Sequence, residues 1–101
     1  MEDSRSSSSR RSRMEVEIDI MQAISDGAGR PTHIMYRSNL SWSVMQSFIR
    51  SMESQGLLVM RLAEGRKSYA LTEKGQRVLE TYHSVKKQLD IVAPMVASAI
   101  S

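Results

Sequence analysis

The stretch Thr32–Leu71, THIMYRSNLSWSVMQSFIRSMESQGLLVMRLAEGRKSYAL, decides the fold. In its long middle piece Met45, Phe48, Ile49 and Met52 recur at i, i+3, i+4 and i+7, the buried stripe of an amphipathic helix. Ser41 stands where an N-cap belongs and Gly56 where such a helix stops. Upstream, Pro31 keeps Arg30 out of helix and leaves Thr32 to cap a short helix, THIMYRS, which the turn Asn39-Leu40-Ser41 separates from the long one. Downstream, LLVMRL and KSYAL read as two strands around the turn Ala63-Glu64-Gly65-Arg66, with glycine where positive φ is needed. Short helix, turn, second helix and hairpin, in that order, make a winged helix-turn-helix. This is a mostly α, α+β module that most often lays its second helix in the DNA major groove.

Opposite the apolar stripe lie Ser43, Ser47, Arg50 and Ser54, with Gln46 at the flank. Arginine and glutamine suit bidentate contact with guanine and adenine, and the N–H groups at the Ser41 end can meet a phosphate. Serine discriminates little between bases, so the face fits close backbone approach with weak sequence preference; an ordinary solvated helix face has the same composition. Trp42, at the edge of the stripe, reads as a partly buried packing residue rather than a base-stacking one. Arg61, Arg66 and Lys67 sit at or beside the hairpin tip, where a wing meets flanking backbone or minor groove.

Charge follows segment. Net charge is only +3 over 101 residues, but residues 14–29 hold Glu15, Glu17, Asp19 and Asp26 with no base. Residues 30–71 reverse the sign, with Arg30, Arg37, Arg50, Arg61, Arg66 and Lys67 against Glu53 and Glu64 alone. A polyanion is drawn to such a segment. We therefore place Arg30, Arg37, Ser41, Ser43, Gln46, Ser47, Arg50, Arg61, Arg66 and Lys67 in a candidate DNA-binding set.

Outward from this core, residues 1–13, MEDSRSSSSRRSR, lack apolar residues after Met1 and read as a disordered Ser/Arg-rich tail. Its arginines, Arg5, Arg10, Arg11 and Arg13, belong either to a phosphate-scanning arm or to an inert terminus. From Met14 to Ile24 a strand-like alternation fails at Met21. Val16, Ile20, Ala23 and Ile24 fit one helical face instead, ended by Gly27 and Gly29. The winged domain is expected over residues 14–72, followed by a C-terminal dimerisation helix and tail over 73–101. There Val78, Tyr82, Val85, Leu89 and Val92, spaced four, three, four, three, make a short heptad seam for a homodimer, although Val78 and Leu79 also suit covering the winged domain. Pro94 is expected to end or kink that helix near Val92.

Composition excludes several classes. Cysteine is absent, which removes disulfides and thiolate metal ligands, and no apolar run approaches the roughly 18 residues of a membrane span. His33 and His83 stand far apart without a carboxylate cluster, and GAGRP lacks the lysine of a phosphate loop. The expectation is a non-enzymatic protein without cofactor or metal, binding double-stranded DNA rather than membrane, cytoplasmic and associated with the nucleoid. The rival is a winged helix used as a protein-interaction module in a larger complex.

Three phrases carry a closer likeness: Ile34-Met35-Tyr36, Asn39-Leu40-Ser41-Trp42 and Tyr69-Ala70-Leu71-Thr72-Glu73-Lys74-Gly75. Over about residues 14–92 the chain resembles an archaeal winged helix-turn-helix family of small chromatin-associated DNA-binding proteins, with Trp42 where tyrosine is more usual. The resemblance implies DNA binding through the second helix and the wing. It also implies dimerisation by antiparallel pairing of the C-terminal helices, as a coiled coil.

Overall fold

A computed structural model describes the backbone of residues 11–100 and the side chains of residues 11–89. The elements run α1 (Arg13–Ser25), α2 (Pro31–Ser38), α3 (Trp42–Ser54), β1 (Leu58–Ala63), β2 (Arg66–Leu71) and α4 (Glu73–Ile100). The architecture is the expected helix, turn, helix and antiparallel hairpin, bracketed by α1 and α4. Arg5 and Arg10 lie outside the described residues, and so does the side chain of Val92.

Local rules explain where the helices begin. Ser12 and Glu15 form a reciprocal capping box: Glu15 N–H donates to Ser12 Oγ at 3.0 Å and Ser12 N–H to Glu15 Oε1 at 2.8 Å. α1 therefore starts at Arg13, and residues 11–13, which composition assigns to a tail, belong to the fold. α2 starts at Pro31 rather than being capped by Thr32. Proline at the first helical position has its φ preset and lacks only an N–H that would go unpaired there, so Arg30 serves as N-cap without a side-chain bond. Ser41 caps α3 as expected, accepting from Val44 N–H at 3.4 Å.

The first three helices end the same way, with a left-handed residue that turns the chain back on its last carbonyls. Gly27 N–H reaches Ile24 O and Ala28 N–H reaches Ala23 O; Gly56 and Leu57 do the same to Glu53 and Met52. Asn39, at φ 56°, takes the glycine role at the helix-turn-helix corner, with Asn39 N–H on Tyr36 O and Leu40 N–H on Met35 O. The hairpin turn is tighter than the four residues expected: Ala63 pairs with Arg66, leaving Glu64 and Gly65 at φ 56° and 76°. Two consecutive positive φ values match the twist of the strands, and here glutamate adopts the first.

The core is built on Ile20, Met21, Ile34, Met45 and Met52, all almost fully buried, with Ile49, Leu57, Leu58 and Leu79 around them. α1 buries more than the expected face, including Ile18 and Met21, because it packs against α2, β2 and α4 at once. Phe48 is only half-buried at the edge of the α3 stripe, and Trp42, expected to be partly buried, is 47% exposed. α4 continues through Pro94 to Ile100 instead of stopping near Val92. An internal proline removes one backbone bond, and the helix is carried past it.

α4 is tied to the end of α3 by the segment Thr72–Gly75. Thr72 N–H donates to Leu57 O at 3.0 Å, Thr72 Oγ1 to Gly56 O, and Lys74 Nζ to Gln55 O at 2.8 Å. Thr72 Oγ1 also accepts from Gly75 N–H at 3.0 Å, as an N-cap does. Gly75 is in this turn because a Cβ there would lie 2.2 Å from Leu57 O. Gly75→Ala should therefore lower unfolding stability by about 1–3 kcal/mol in a denaturant titration, although helix propensity alone favours alanine by about 1 kcal/mol. A stability gain would show that the α3–α4 junction is not close-packed.

Candidate nucleic-acid interface

The exposed side of α3 presents Ser43, Ser47, Arg50 and Ser54, with Ser41 exposed at its N-terminus and Gln46 half-buried at one flank. Ser51, on the other flank, continues the row Ser43, Ser47, Ser51 at steps of four residues. Against that flank lies Arg13. Its guanidinium is 4.8 Å from the centre of the Phe48 ring, Nη2 donates to Ser51 Oγ at 3.0 Å, and Nε stands 3.6 Å from Glu17 Oε2.

The hairpin register divides the three wing cations between two faces. Leu58↔Leu71, Met60↔Tyr69 and Leu62↔Lys67 share the face that begins in the core, whereas Val59↔Ala70, Arg61↔Ser68 and Ala63↔Arg66 share the other. Arg61 and Arg66 are thus diagonal neighbours, and Lys67 points to the opposite side. The Lys67 side turns toward α3, because Leu58, Leu71 and Tyr69 on it pack in the core that Met45, Ile49 and Met52 of that helix help to build. Burial pushes the pKa of the Tyr69 phenol up, Glu53 adds to the rise and Arg50 opposes it. Tyr69 thus stays neutral into more alkaline solution than a free phenol.

The remaining members of the set are engaged elsewhere. Arg30 reaches the wing tip, 3.9 Å from Glu64. Arg37 pairs with Asp26 at 2.8 Å, at the junction of α1 and α2. Arg11 pairs with Asp19 and also donates to Ser38 O at 2.7 Å, fastening the last turn of α2 to α1. The acidic segment is therefore largely matched by arginines of the fold. Arg50, Arg61, Arg66 and Lys67 are all exposed and form no ion pair among the described residues. Sequence reasoning placed Arg13 in a tail, as part of a phosphate-scanning arm or an inert terminus, rather than on a helix, and it missed Ser51. The signal for the first was Ser12-x-x-Glu15 ahead of an apolar run, a capping-box signature that places Arg13 at the first turn of a helix.

Along α4, Val78, Val85 and Leu89 are 37%, 49% and 61% exposed and Tyr82 is half-buried. With Met14 and Ile18 of α1 they line an open groove of about 730 Å³. His83, on the next position, bonds Gln22 of α1 at 2.6 Å rather than joining any metal-binding group. No cluster of three or more His, Cys, Asp or Glu side chains exists among the described residues.

Comparison with known proteins agrees with this fold. The chain is 28% identical over 76 residues to an uncharacterized protein of Methanocaldococcus jannaschii, a match covering 75% of this chain and 74% of that one. In structure it resembles Sso10a-2, a DNA-binding protein from Sulfolobus solfataricus, with a TM-score of 0.63 and 22% identity over 91% of this chain and 98% of that one. It also resembles the transcriptional regulator BldR from the same organism, with a TM-score of 0.68 and 19% identity over 82% of this chain and 60% of that one. The family model described as winged helix-turn-helix matches residues 10–90, and the chain belongs to that family.

Proposed function

We propose that this chain is a non-enzymatic DNA-binding regulator or chromatin-associated protein, acting as a homodimer on duplex DNA in the cytoplasm, at the nucleoid. α3 enters the major groove with Ser43, Gln46, Ser47 and Arg50, Ser41 leads the helix onto a phosphate, and the hairpin rests on flanking backbone through Arg61, Arg66 and Lys67. Arg30 and Arg37 border this surface with their charges already paired. The observation that carries the reading is the set of four exposed cations without carboxylate partners, gathered on α3 and the hairpin while the other described arginines of the winged domain are matched. The names of Sso10a-2 and BldR, a DNA-binding protein and a transcriptional regulator, support it.

A surface of this kind binds mainly by releasing counterions. With four phosphates neutralised per protomer, log K should fall against log salt with a slope of about −3.6 or steeper, doubling when both heads engage. A flat response in a duplex titration points to a protein-interaction module instead.

Roles within the surface should separate. Arg50→Ala is expected to reduce differences between DNA sequences by about 1–3 kcal/mol at a contacted base pair, whereas Arg66→Ala with Lys67→Ala weakens all duplexes alike. A panel of duplexes bound identically by wild type and Arg50→Ala refutes the assignment.

The seam Val78, Tyr82, Val85, Leu89 and Val92 supplies the second head. Exposure of Val85 and Leu89 in the single chain supports this, since a partner helix would cover them. If two helices cross antiparallel about Val85, the two copies of residue 73 lie about 36 Å apart along the axis, close to one turn of B-DNA at about 34–36 Å. Val85→Lys with Leu89→Lys should give folded monomers that bind DNA far more weakly, because the second contact loses its high effective concentration. Equilibrium sedimentation decides it, and a double variant that stays dimeric rejects the seam.

A further inference from the structure

We infer that Arg13, at the first turn of α1, is a further phosphate-binding residue, meeting the DNA strand on the flank of α3 opposite the wing. The inference rests on the proposed DNA-binding reading and extends its surface. On α3, at about 100° per residue, Arg50 leans toward the flank of Gln46 and Glu53, the side from which the Tyr69 face of the hairpin feels Arg50 and Glu53. Ser51 and Phe48 fall on the other flank, and Arg13 is seated there, over the ring and bonded to Ser51 Oγ. The row Ser43, Ser47 and Ser51 thus runs toward Arg13, while Arg50 and the wing cations stand across it.

Three features suit Arg13 to an anion. Its side chain is 62% exposed, unlike that of Arg11, which is 28% exposed and spent on Asp19 and Ser38 O. The Phe48 face and Ser51 hold the guanidinium in one orientation, so little freedom is lost on binding, while N–H donors beyond those on Glu17 and Ser51 remain for a phosphate. The Glu17 pair, 3.6 Å long and of the i, i+4 kind, joins this exposed arginine through Nε to a carboxylate that is 17% exposed, which leaves the outward N–H groups of Arg13 to a phosphate. A duplex seated on α3 would then be gripped from both sides, by the hairpin on one flank and the α1 start on the other.

The test is a fluorescence anisotropy titration of the full chain with a labelled mixed-sequence duplex over a series of salt concentrations. Arg13→Gln should weaken binding and flatten the log K against log salt slope by about 0.9 per protomer, one phosphate contact. Glu17→Gln, which releases Arg13 from its carboxylate, should tighten binding, and it decides the matter if Arg13→Gln melts below the assay temperature. Wild-type affinity and slope in both variants, while Arg50→Ala loses affinity, would overturn the role of Arg13 and leave the DNA reading standing. If Arg50→Ala and Arg66→Ala with Lys67→Ala also bind as wild type, both fall.

Discussion

Three consecutive carbonyls, those of Gln55, Gly56 and Leu57, are taken up by Thr72, just before α4, and Lys74, in its first turn, and the rest of the molecule depends on that junction. The carbonyls lie where α3 has ended and turned on Gly56, a place where unpaired acceptors are otherwise left to solvent. Closing them against the start of α4 fixes the end of α3 relative to α4 and holds the base of the hairpin, which leaves at Leu58 and returns at Leu71, between the two. Gly75 permits the approach because no other residue leaves room for the Leu57 carbonyl. One turn of chain thereby orients the exposed face of α3, the wing and α4.

A second set of ties does the same at the other end of the helix-turn-helix. Arg11 joins α1 to the last turn of α2, Asp26 holds Arg37, and the Gly29 carbonyl accepts Tyr69 N–H at 2.7 Å along the edge of β2. With Arg13 on Glu17, these arginines engage three of the four acidic residues of the segment 14–29. On the described winged domain, the positive surface that remains is narrower than the charge count of residues 30–71 implies, and it lies on α3, the wing and the flank beside Phe48.

What was legible in the sequence was whatever depends on spacing alone. The apolar stripe Met45, Ile49 and Met52, the Ser41 cap, the Gly56 stop and the two strands all follow from periodicity and turn chemistry, and they stand where expected. The errors arose where a local rule had a competitor. Thr32 lost the cap of α2 because Pro31 needs none; the wing turn closed on Glu64 and Gly65 because glutamate accepted a left-handed backbone; and Ser12 and Arg13 were hidden by the serine and arginine around them. Pairings between distant residues, such as Arg37 with Asp26 or Arg13 with Phe48, leave no trace in a linear pattern. For the same reason the charge pattern indicated a basic surface but not which arginines are free to serve it.

The core has its own consequence. Met21, Met45 and Met52, three of its fully buried side chains, are unbranched and pliable, and exchanges with leucine at such sites typically cost less than about 1.5 kcal/mol. The junction, for its part, directs its hydrogen bonds at main-chain acceptors that any residue provides. A fold secured by a soft interior and by contacts to backbone has few positions that must keep their identity. Such a shape tolerates wide change in sequence, and the solvent-facing side of α3, which bears no part of the core, is free to change with it.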